Sequence, residues 1–199
     1  MTRVREAVDP STSQLAALVV GGLLFGVVMA VVKGQDAGVR DALGNMSAPW
    51  VVLPFLAGTR YSRMLHSALA GVAITLVAFF GFYLAEAAIL DLGPVPWYTD
   101  LRLTLGSGHA YEVLGVGTGV VYGVLGGFWR GRGLVVAPAA LGLAFICEPA
   151  VVWVIERMGL WGGGGLLHYR WLWIAEMTFG LCLVLALRGD PRPRSIAGA

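Results

Sequence analysis

Apolar residues run in blocks of about 20 along this chain, parted by short joints rich in polar residues, glycine and proline. A helix of that length crosses a hydrocarbon layer of about 30 Å. The pattern predicts spans at 14–33, 44–59, 65–90, 109–129, 134–156 and 171–188. The expected fold is an all-α polytopic transmembrane bundle of about six spans. Residues 14–188 form it, with a cytoplasmic segment 1–13 before and a cytoplasmic tail 189–199 after. The second span is short and interrupted by Asn45, Ser47, Pro49 and Pro54. It reads either as a broken or re-entrant segment, which survives at membrane depth only against protein or a wet cavity, or as a short tilted helix. In the second case Ser47 is the cap and Pro49 lies in the first turn.

Small residues add a packing pattern. Gly115, Gly119, Gly123 and Gly127 recur every four residues along one face of the fourth span, and Gly22, Gly26 and Ala30 repeat the spacing in the first. Such faces let helix backbones approach closely in lipid, where hydrophobic drive between helices is small. Packing within the chain is the plain expectation, and a homo-oligomer seam is the sharper one.

Composition agrees with the pattern. The chain has 199 residues, of which 57% are hydrophobic and 13% charged, whereas a soluble domain carries roughly 25% charged residues. The run from Leu15 to Val32 is long enough to be a retained first helix rather than a cleaved leader. Cys147 and Cys182 lie in apolar runs, so no disulfide framework is expected. A net charge of +2 without a basic stripe gives no nucleic-acid partner. Nine flanking arginines on the N-terminal side of six spans, among them Arg60, Arg63, Arg130 and Arg132, face five basic residues opposite. That excess places the protein in the cell membrane with both termini cytoplasmic, and lipids around it.

The candidate chemistry lies in acids among these apolar runs. An acidic residue at mid-span costs about 2.5–3.5 kcal/mol on insertion scales and so signals a role. Glu148 falls near the middle of the fifth span before Pro149, where it serves either a site or a structural hydrogen bond at the proline kink. Glu176 shares a helix face with Tyr169, Trp173 and Phe179, and Glu86 with Phe79, Phe82 and Tyr83. Glu112 and Glu156 lie near span ends and read equally as interfacial. With Trp97, Tyr98, Tyr111, Trp161 and His168 they point to a cavity in the outer half of the bundle.

A protonated acid facing an apolar, ring-lined cavity suits proton-initiated cyclisation of a prenyl chain, in which aromatic faces stabilise carbocations. In that reading Glu176 or Glu148 donates the proton and Glu86 is the partner or terminal base. Tyr83, Phe82, Phe79, Tyr111, Trp153, Tyr169, Trp173 and Phe179 bind the lipophilic substrate, with Asn45, Glu112 and Glu156 as polar groups. No metal or cofactor is expected: the chain has no DDxxD-type cluster, G-x-S-x-G, P-loop, H-E-x-x-H or C-x-x-C. His66, His109 and His168 are scattered. The rival is a binding or transport protein whose glutamates hold a cationic or amine-bearing solute. A membrane scaffold with structural acids is the third class.

The stretch GGFWRGRG from Gly126, the CEP ending at Pro149, WLWIAEMTFGL at 171–181 and SAPW at 47–50 resemble a family of small actinobacterial integral membrane proteins without assigned activity. The resemblance covers most of the chain and implies a multi-span protein. More loosely, size and acid-plus-aromatic pattern resemble the membrane-bound terpene cyclases of bacterial indole-sesquiterpenoid pathways. A six-span bundle of this size is also similar to the substrate-binding membrane subunits of energy-coupling-factor vitamin transporters. That likeness would make Gly22, Gly26 and Ala30 a docking face.

Overall fold

The computed structural model describes residues 12–34, 38–88, 96–107, 109–132, 136–158 and 169–188. Within them every regular element is an α-helix: α1 (Thr12–Lys33), α2 (Val39–Gly44), α3 (Ala48–Gly58), α4 (Met64–Ala88), α5 (Trp97–Ser107), α6 (His109–Arg132), α7 (Val136–Arg157) and α8 (Arg170–Arg188). Four carry stretches long and apolar enough to cross a membrane: Ser13–Lys33, Met64–Ala88, Glu112–Gly131 and Val136–Arg157. Apolar side chains also cover the outside, with Leu65, Val113 and Ile174 each about two-thirds exposed. Helices apolar on all sides suit lipid better than water.

Packing direction follows from which residues meet. Leu18 of α1 lies against the cluster around Ile74 of α4, and Lys33 pairs with Glu86. These two helices therefore run parallel. Gly115 of α6 lies against Phe79, and Gly127 against Ser67, so α6 runs the other way. The same reasoning sets α7 parallel to α1 and α4, with α3 and α8 antiparallel to them. The start of α1 and the close of α8 thus share one end, called here the near end; Lys33 and Glu86 mark the far end.

The glycine faces are filled from within the chain. A Cβ on Gly26 would strike the Ala78 carbonyl oxygen, and one on Gly123 would strike that of Ser67. The face held open for an oligomer seam on α6 therefore seats α4 and α3, and the α1 face proposed for docking a partner seats α4.

The second span, expected at 44–59 as either a broken segment or a short helix, holds the short α3 with Pro49 in its first turn, and the unexpected α2 precedes it across a break at 45–47. At eleven residues α3 is about 16 Å long, half a hydrocarbon thickness. The stretch before the fourth span, expected as a loop, holds α5. Its Leu101 and Leu105, one turn apart, pack on the α1–α4 cluster of Met29, Phe82 and Tyr83. At the end of α1, Gly34 takes a left-handed φ of 64°, and Arg40 donates to the carbonyls of Val31 (2.6 Å) and Val32 (3.3 Å). That cation closes the helix where its carbonyls lack partners.

Candidate functional site

The break between α2 and α3 creates the site. A helix start leaves backbone N–H groups without intrahelical acceptors, and those of α3 can be accounted for one by one. Pro49 has no N–H. The Trp50 N–H donates to the Ser47 carbonyl at 3.0 Å. The N–H groups of Ser47 and Ala48 remain, and both donate to the Glu148 carboxylate from α7, the second at 2.6 Å. The Ser47 hydroxyl makes no capping bond. Position 47 adopts helical torsions, which take its side chain out of capping geometry. Glu148 is thus bound to another helix rather than to its own proline kink.

Glu176 of α8 lies beside it. It shares a level with Glu148, since Gly180, one turn on, packs against Phe145 and Leu172, one turn back, packs with Val152; the residue is 5% exposed, and Oε1 is buried without a hydrogen-bond partner. Glu148 stands twelve residues from the start of α7 and Glu176 twelve from the close of α8, each about 18 Å from the near end. The first turn of α3 reaches nearly the same level. Two carboxyls and a helix N-terminus therefore lie together at mid-depth. Ala42 and Met46 pack over them with Val152 and Leu172, and Tyr169 and Trp173 are partly buried against this cluster.

Trp50 is a residue that the aromatic stripes alone do not reveal. From the same first turn of α3 its ring meets Phe25 (5.3 Å), Phe79 (4.9 Å) and Phe82 (5.6 Å), and Tyr83 stacks on Phe79. One helical turn therefore bears the carboxyl pair on one side and the aromatic cluster on the other. The signal available in the sequence is Pro49 directly before Trp50, which marks a helix start rather than a continuous span.

The other expected site residues are dispersed. Glu86 is not with the pair: it accepts from Lys33 Nζ at 2.7 Å near the far end, and that ammonium sits 5.3 Å from the Phe82 ring centre. Asn45 donates to Asp41 Oδ1 at 2.9 Å. Trp153 is half exposed under the Arg157 guanidinium, and Glu156 is partly exposed beside it. Phe179, also half exposed, meets Phe145 edge-on at 5.1 Å. Glu112 is partly exposed in the first turn of α6. The Tyr111 side chain, Trp161 and His168 lie outside the described residues. A cavity of about 610 Å³ opens at the near end rather than beside the acids. No group of three metal-ligating side chains occurs among the described residues.

The fold and site together define an all-helical protein, compatible with a membrane location, with a buried carboxyl pair at a helix break. No family model, curated protein or solved structure matches the chain.

Proposed function

We propose that the chain is a membrane-embedded binding or transport protein whose working site is the Glu148–Glu176 pair. The observation that carries this reading is a pair of buried glutamates at one level of α7 and α8, one bound to the N-terminus of a broken helix and the other with a carboxyl oxygen that has no partner. Two acids buried at one level of an apolar interior oppose one another as like charges, which makes the pair a natural place for a proton. Glu148, accepting from two backbone N–H groups, takes the charged role. Glu176, whose buried Oε1 has no hydrogen-bond partner, is the acid left to hold the proton and to meet a cargo. Discontinuous helices ending at mid-depth are a recurrent way for carriers to hold ions and solutes. A cationic or amine-bearing solute arriving at Oε1 displaces the proton, so cargo and proton exchange at one place. Tyr169 and Trp173 nearby suit an organic cation.

Proteoliposomes bearing a pH gradient and an internal pH dye test this. Wild-type protein is expected to pass protons, and Glu176→Gln to lose that flux at least about tenfold while remaining folded. Equal flux from both proteins overturns the reading.

Glu176 would also serve as donor in a metal-independent prenyl cyclisation, with the Phe145–Phe179 pair one turn away to stabilise carbocations. Geometry favours this less, since Glu148 is engaged by α3 and Glu86 by Lys33, leaving neither as terminal base. Products of unchanged mass from farnesylated acceptors would transfer the assignment to the cyclase.

A further inference from the structure

The near-end cavity is separate from the carboxyl pair, about a full α3 length away. It lies between α1 and α3, both packed on α4, away from the ring contact of Phe25 with Trp50 that joins the two helices at the start of α3. The groove is lined by Leu18, Leu53, Leu56 and Ile74 together with the polar Gln14 and Thr59. Its rim is cationic: Arg60 follows α3, Arg130 comes from the last turn of α6, and both are exposed. Neither has an ion-pair partner among the described residues. A groove with a leucine floor that ends in two guanidinium groups is complementary to an amphiphile with an anionic head and a hydrocarbon tail.

We infer that this groove binds one acidic phospholipid, its phosphate between Arg60 and Arg130 and an acyl chain laid along Leu18, Leu53 and Leu56. Guanidinium forks match phosphate oxygens in geometry as well as charge. The end of the spans is the level at which a lipid phosphate sits. A bound lipid would fill the gap between α1 and α3 and brace the near end of the half-length helix. The inference is independent of proton exchange at Glu148 and Glu176.

Native mass spectrometry of the full chain in a neutral detergent, titrated with phosphatidylglycerol, phosphatidylcholine or inorganic phosphate, tests it. One phosphatidylglycerol is expected to bind in preference to phosphatidylcholine. In Arg60→Ala/Arg130→Ala that preference should fall roughly thirtyfold, about fivefold for each arginine. Ala17→Trp, which fills the groove from its exposed lip and leaves both arginines in place, should lower phosphatidylglycerol binding alike. Equal binding of the two lipids by wild-type protein overturns the inference, as does a preference that survives the double substitution. Competition by inorganic phosphate at lipid-like concentration also overturns it, since the groove would then be a free-phosphate site.

Discussion

The α1–α4–α6 layer and the α7–α8 pair join α3 by different means. In the layer, glycines set the distance: Gly58 and Gly126 bring α3 and α6 into backbone contact, and Gly71, Gly119 and Gly123 do so for α4 and α6. Shape and the Ser67 hydroxyl, which donates to the Gly58 carbonyl at 3.2 Å, join α3 to this layer; the Lys33–Glu86 ion pair ties α1 to α4 at the far end. The α7–α8 pair has its own close approach at Gly142 and Gly180. Its link to α3 adds a charge to the apolar contacts of Ala137, Leu141 and Phe145, because Glu148 caps the half-helix. A seam of small residues is either closed or broken. A carboxylate cap depends instead on one side chain, which makes this link separable by substitution.

Substitutions can break that contrast, beginning where the effect is largest. Gly123→Leu forces a side chain into the backbone of Ser67 and Gly71, and is expected to cost about 3 kcal/mol or more. Loss of the monodisperse peak in size-exclusion chromatography would register it. Glu148→Ala leaves the buried N–H groups of Ser47 and Ala48 unpaired, for about 2–4 kcal/mol, and Glu148→Gln recovers part of this by keeping one acceptor. The difference should appear as a graded fall in melting temperature, and an unchanged value in Glu148→Ala would remove the cap from the account. Glu176→Leu removes a buried oxygen that has no partner, so stability is expected within about 1 kcal/mol of wild type or above it. If it instead destabilises as much as Glu148→Ala, the two acids form one structural unit and the functional role of Glu176 falls. Glu86→Gln, at a partly exposed ion pair, should change stability by less than about 1 kcal/mol. Proton flux in that variant should match wild type, which sharpens the separation of Glu86 from the pair.

The apolar block lengths and glycine spacing already contain most of the helical layout. Observed α1, α4, α6, α7 and α8 lie within three residues of the expected spans at each end. Glu148 and Glu176 stand out in the sequence because an acid in an apolar run is costly wherever the helices pack. The amphipathic α5 escaped, since eleven residues with two leucines one turn apart resemble a polar loop until a neighbour covers them.

Local composition dictated the five long helices, the interruption near Pro49, and which acids enter the apolar interior, because these depend on spacing and transfer cost along one stretch of chain. Pairing did not follow from it. That Glu148 reaches the α3 N-terminus a hundred residues away, that Glu176 joins it while Glu86 goes to Lys33, and that Trp50 links both sides depend on the order of helices around the bundle. Helix order is fixed by contacts between faces distant in sequence, and many arrangements satisfy the same periodicity until side chains from different helices meet.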